Sequence, residues 1–154
     1  CPLLPDFAYG TWFTWWHQYT EVEARVDVDR WESEGLPLDV FGLDMNWRRT
    51  VLKFTSPVVP SNTTPDFLYD QPNSLLFPSY GRWFKFLQDR GLHTYFNDHP
   101  YPVAARGAGG LQTSPEEVAF RWQGLTRWLK QGLTFWWFDK NWCFTIPPPF
   151  INAS

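Results

Sequence analysis

The sequence predicts an α/β fold, specifically a (β/α)8 barrel represented by about its first four βα units. Two observations carry this. Short apolar, aromatic-rich runs alternate with helix-like segments along the chain, and that order implies right-handed crossovers and parallel strands. Three of the runs also end in aspartate, at Asp44, Asp98 and Asp139. In parallel barrels the C-terminal strand tips lie on one face, where the chemistry is done.

The elements follow in order. Residues 9–16, Tyr-Gly-Thr-Trp-Phe-Thr-Trp-Trp, are β-branched and aromatic and read as the first strand. Thr20 followed by Glu23 is a capping-box pattern opening a helix that stops before Gly35 and Pro37. Val22, Ala24, Val26 and Val28 alternate with charged residues as a strand would. The cap and the glycine stop favour the helix. The second strand covers about Leu38 to Asp44, and a Pro-, Ser-, Thr- and Asn-rich excursion occupies residues 47–78. A stretch that long inside a compact domain is usually functional or holds small local structure. Ser79 caps a second helix closed by Gly91, and the third strand covers His93 to Asp98. Ser114-Pro115-Glu116-Glu117 starts a third helix, with Val118, Trp122, Leu125 and Leu129 at helical spacing and Gly132 as its stop. The fourth strand spans residues 133–139. No GxGxxG or P-loop pattern follows a strand, so a doubly wound nucleotide-binding sheet is the weaker alternative.

Composition narrows the function. Across 154 residues, 44% are hydrophobic and 19% charged, which suits one globular domain. A net charge of −3 and no basic cluster argue against nucleic acid. The pair Arg48-Arg49 reads as solvated surface. No run is long enough for a membrane span, and no signal-peptide pattern opens the chain. Cys1 and Cys143 are far apart with no CxxC or His-rich partner, which leaves no cysteine-based zinc site or disulfide scaffold. No cofactor is expected. The sole methionine is Met45, so the chain reads as a processed product or a piece of a longer one. The sequons at Asn62 and Asn152 allow a secretory or extracellular setting without requiring it.

Aromatic residues make up 20%, with 11 Trp. Such rings fill cores, but indole faces also suit the C–H faces of sugars, which makes carbohydrate a natural ligand class. Asp39 lies at the wrong end of its strand for a barrel site and reads as structural. A strand-end aspartate can simply cap a following turn, but three on successive strands argue for function. His99, next to Asp98, could bond a ligand hydroxyl or steady a carboxylate. A metal site from Asp44, Asp98, His99 and Asp139 is conceivable, though its spacing is not diagnostic.

With these residues in view, the chain resembles glycoside hydrolase family 31, the α-glucosidase and α-xylosidase family. The likeness runs through Tyr9-Gly10-Thr11-Trp12-Phe13, residues 35–40 with Leu43-Asp44, and Leu76-Phe77-Pro78 with Phe86-Leu87 and Gly91-Leu92. It continues through Asn97-Asp98-His99-Pro100 and Trp137-Phe138-Asp139-Lys140-Asn141. The resemblance implies a retaining α-glycosidase in which residues 1–154 are the N-terminal half of the catalytic barrel. It places the nucleophile at Asp139 and sugar contacts at Asp44, with Asp98, His99 and Trp137 near the same subsite. The acid/base carboxyl would come from a later strand, outside this chain, so the isolated half is expected to lack appreciable activity and to be marginally soluble or self-associating. Trp142 stands where many relatives have Glu, leaving the sugar and linkage open. A non-catalytic carbohydrate-binding module and a metal-dependent hydrolase are the competing functions.

Overall fold

The structure, a computed structural model, describes residues 3–48, 72–98 and 115–139. Four strands, β1 (Trp12–Phe13), β2 (Val40–Leu43), β3 (His93–Asp98) and β4 (Phe135–Phe138), are joined in sequence order into one sheet, and every pairing is parallel. Helices α1 (Glu21–Ser33), α2 (Tyr80–Gln88) and α3 (Pro115–Gln131) fill the three crossovers.

The helix limits come from local chemistry. Thr20 Oγ1 accepts the Glu23 N–H at 3.2 Å, and the Glu23 carboxylate accepts the Thr20 N–H at 2.8 Å, which completes the capping box of α1. Such a cap contributes about 1 kcal/mol. The Thr20 N–H and hydroxyl hold the Glu23 carboxyl below its ordinary value. The stabilisation is therefore present above the unfolded carboxylate pKa and is lost as pH falls through the lower folded value. The alternating valines resolve on the helical period: Ala24 and Val28, four apart, are buried, while Val22 and Val26 face solvent. Ser79 Oγ accepts the Arg82 N–H at the start of α2. The three helices are each followed by a glycine with positive φ, at Gly35, Gly91 and Gly132.

All three helices pack on one face of the sheet. Ala24 and Val28 of α1, Trp83, Phe84 and Leu87 of α2, and Leu125 and Trp128 of α3 share one core with Phe41, Leu43, Phe96 and Trp136 of the strands. The residues of opposite parity line the other face. There the Tyr95 ring contacts those of Trp12, Phe135 and Trp137, with centroids 5.9, 5.1 and 6.0 Å away. A doubly wound sheet carries helices on both faces. This sheet is singly wound, as a barrel wall is, and closure of a barrel is not seen among the described residues.

Two expectations change. The first strand is two residues long rather than eight, because Asp6–Tyr9 forms a 3₁₀ turn and the backbone bends at Trp16 and His17, where the Trp15 carbonyl accepts the His17 N–H. Arg48 is fully buried rather than solvated. It forms a bridge with Pro72, and the Asn73 N–H donates to the Trp47 carbonyl beside it, so the returning chain covers it. Asp39 is structural, accepting the Thr11 N–H at 2.7 Å at the foot of the sheet.

Gly42 lies directly beneath the Tyr95 ring, and a Cβ there would fall 2.1 Å from Tyr95 Cζ. The central strands cannot move apart without breaking their ladder. Gly42→Ala is therefore expected to cost about 1–3 kcal/mol by overpacking, read as a lower urea midpoint. Adding Tyr95→Ala should remove the clash and make the combined cost smaller than the sum of the two.

Candidate active site

The C-terminal ends of β2, β3 and β4 carry the three aspartates. Asp44 follows β2 in extended conformation, and its Oδ1 accepts the Met45 N–H at 2.6 Å, capping the 3₁₀ turn Met45–Trp47. It is half-buried and continues the parity of Val40 and Gly42, on the face away from the helices. Asp139 follows β4 with the parity of Phe135 and Trp137, again on that face, and is half-buried. Asn97 Nδ2 donates to Asp139 Oδ2 at 2.9 Å.

Asp98 is placed differently. It pairs in register with Phe138, shares the parity of Phe96, and has no exposed surface. Its neighbour Asn97, not Asp98, shares the face of Asp139. His99 lies outside the described residues, as do Lys140, Asn141, Trp142, Arg49, Ser114, both cysteines and both sequons. Trp137 is half-buried and meets Tyr95 edge-on at 86°.

Tyr95 and Asn97 are the residues that sequence reasoning missed. Burial raises the Tyr95 phenol above its ordinary value, a hydrogen bond with Thr14 opposes the rise, and the charge of Asp44 adds to it. The phenol is therefore a neutral hydroxyl at physiological pH. Only the register of β3 with β4 places both on the face of Asp139, because Phe96 and Asp98 stand two apart as well.

Asp44 lines a shallow surface depression with His17, Tyr19, Leu43, Asn46, Trp47 and Phe77. It encloses no space that would hold a ligand, and Asp139 does not line it. The His17 ring stacks on Trp15 at 4.4 Å and 11°, and Tyr19 donates to Asp27 at 2.5 Å. The tryptophans divide between two environments. Trp47, Trp83, Trp128 and Trp136 are core, while Trp12, Trp15 and Trp16, on β1 and just after it, are about half exposed (45%, 55% and 56%). No three His, Cys, Asp or Glu side chains converge as a metal site among the described residues. No helix among them is long and apolar enough to cross a membrane.

No family model and no curated protein sequence matches the chain. Among solved structures, it is similar to a GH31 alpha-xylosidase from a soil metagenome, complexed with xylose. The TM-score is 0.64 at 15% identity, covering 90% of this chain and 22% of that one. It is also similar to the cycloalternan-degrading enzyme from Trueperella pyogenes complexed with isomaltose, at TM-score 0.46 and 19% identity, covering 82% of this chain and 18% of that one. The xylosidase match shows a shared fold: this four-stranded parallel sheet with its helices corresponds to part of a glycoside hydrolase. The chain spans about a fifth of the length of these enzymes.

Proposed function

We propose that the chain is the N-terminal half of the catalytic barrel of a retaining α-glycosidase of the family 31 type, acting on O-glycosyl bonds of α-glycosides. The observation that carries this reading is the Asp139 carboxylate at the tip of β4, bonded by Asn97 and on the same sheet face as Asp44. In the proposed mechanism Asp139 attacks the anomeric carbon as the leaving oxygen departs, forming a covalent glycosyl ester. Water then cleaves the ester, and two inversions give net retention. The acid/base carboxyl that protonates the leaving oxygen and later activates water stands about 5–5.5 Å from the nucleophile in such enzymes. It belongs here to a later strand of the same barrel.

Asp44 suits sugar hydroxyls better than proton transfer. One of its oxygens already accepts a backbone N–H, which holds the carboxylate as an acceptor for hydroxyl donors. Trp137 and Tyr95, in edge contact on the same sheet face as the two carboxylates, offer an apolar surface suited to a sugar ring. His99 keeps its proposed place at the same subsite. Asp98, buried with the parity of the helix side, drops out of the sugar contacts in this reading.

The exposed Trp15 and Trp16 favour a second reading, a carbohydrate-binding module without turnover. Proton NMR of the first anomer released by the protein carrying the whole barrel separates the two. Retention predicts the α-anomer, appearing before mutarotation and insensitive to chelator. Initial release of the β-anomer, or loss of activity with chelator, contradicts the mechanism. Saturable sugar binding with no anomer released supports the binding module.

A further inference from the structure

We infer that Asn97 is a positioning residue for Asp139, its carboxamide fixing the plane of the carboxylate and favouring the anion. The inference rests on the nucleophile reading above and extends it to a residue that touches no substrate.

The geometry begins with register. Asp98 pairs with Phe138, so Asn97 and Asp139 lie on the same sheet face at the ends of adjacent strands. A carboxylate offers only acceptors, so the amide must turn its NH₂ toward it, and the 2.9 Å contact is a charge-assisted hydrogen bond. The donor is anchored within the sheet. Asn97 has no exposed surface and sits in β3, paired on both sides by β2 and β4. Its carbonyl accepts the Trp47 Nε1–H at 2.7 Å, and the Trp47 ring stacks on Phe96 at 4.7 Å and 10°. Asp139, by contrast, stands just past the end of its strand.

A second observation concerns the other end of the amide. Asn97 Oδ1 is buried and has no hydrogen-bond partner among the described residues. An acceptor buried without a described partner does not by itself favour an amide at this position. What asparagine supplies instead is the N–H to Asp139. A donor held on a rigid strand restricts rotation of the carboxylate and stabilises its charged form, which is the form that attacks.

The test uses the protein carrying the whole barrel, with two readouts. A ¹³C titration of the Asp139 carboxyl in the unmodified protein should place its pKa below the ordinary carboxylate range; a value in or above that range overturns the inference, whatever the variants do. In Asn97→Ala the acid limb of inactivation by a mechanism-based fluoro-glycoside should move up by about one pH unit, with inactivation slowed about tenfold, the size expected for losing a hydrogen bond to a charged group. Asn97→Asp, nearly isosteric, should move it further, because two adjacent carboxylates cannot both ionise freely. Variants that melt like the parent and keep its acid limb overturn the proposal. If the fluoro-glycoside labels nothing in the unmodified protein, the nucleophile reading fails, while the titration still decides whether Asn97 holds Asp139 as an anion.

Discussion

Asp139→Ala, made in the protein that carries the whole barrel, is expected to lower kcat by about 10⁴- to 10⁶-fold, the scale on which losing a catalytic nucleophile is felt. KM should change little, because the sugar is held by other groups. The loss arises because no other described side chain takes the same place. Asp44 is tied to the Met45 N–H at the end of β2, and Asp98 shares the parity of the helix side. Azide should recover part of the rate in Asp139→Ala, entering the space the carboxylate left and giving a glycosyl azide of β-configuration. Asp44→Asn should behave differently, chiefly weakening substrate binding. If Asp139→Ala retains a tenth or more of the parental kcat, Asp139 is not the nucleophile.

The largest expected effect on stability is at Trp47. Its side chain is 1% exposed and stacks on Phe96, with edge contacts to Trp128 and Trp136 at 5.6 and 5.5 Å. Truncating such a ring to alanine costs about 3–5 kcal/mol. Loss of its Nε1–H also strips a buried partner from the Asn97 carbonyl, about 1–3 kcal/mol more. Set against the 5–15 kcal/mol typical of whole domains, Trp47→Ala should leave the fold barely populated in urea titrations. Trp47→Phe keeps most of the ring contact and loses the donor, so it should cost about 1–3 kcal/mol. A Trp47→Phe protein as stable as the parent would show that the hydrogen bond to Asn97 contributes nothing. Because Trp47 bonds the backbone of the residue that holds Asp139, both variants should also weaken the site's geometry.

Much of the fold was legible where a local signal coincided with a structural need. The box from Thr20 to Glu23, Ser79, and the three helix-stopping glycines mark helix ends because orphaned backbone groups and positive φ demand those residue types. The third strand has the limits expected of it, His93–Asp98. The first strand was misjudged because an aromatic, β-branched run looks the same whether it pairs in a sheet or turns in the open, as Trp15 and Trp16 do. Arg48 was misread because charge predicts exposure only until the chain folds back over it, here through Pro72 and Asn73.

The candidate site was legible as strand tips but not as faces. Both sides of β3 are covered, so Thr94 through Asp98 are all buried and no alternation distinguishes them. Chemistry then drew attention to the carboxylate Asp98, whereas parity gives the face of Asp139 to Asn97 and Tyr95. A shift of one residue exchanges the faces of a strand. Asp139 and Asp44 fall on one face because each stands just past a strand whose preceding same-parity residue, Trp137 or Gly42, lies against Tyr95.

The claim that Asp139 is a glycosyl nucleophile is tested most directly by trapping the ester. The protein with its complete barrel is incubated with a mechanism-based fluoro-glycoside of α-configuration, digested with pepsin and mapped by mass spectrometry. One glycosyl group per protein, attached to the peptide containing residues 135–139 and localised to Asp139, is the predicted result. Stoichiometric labelling of any other carboxylate, or turnover of the parent glycoside with no trapped ester, would contradict it.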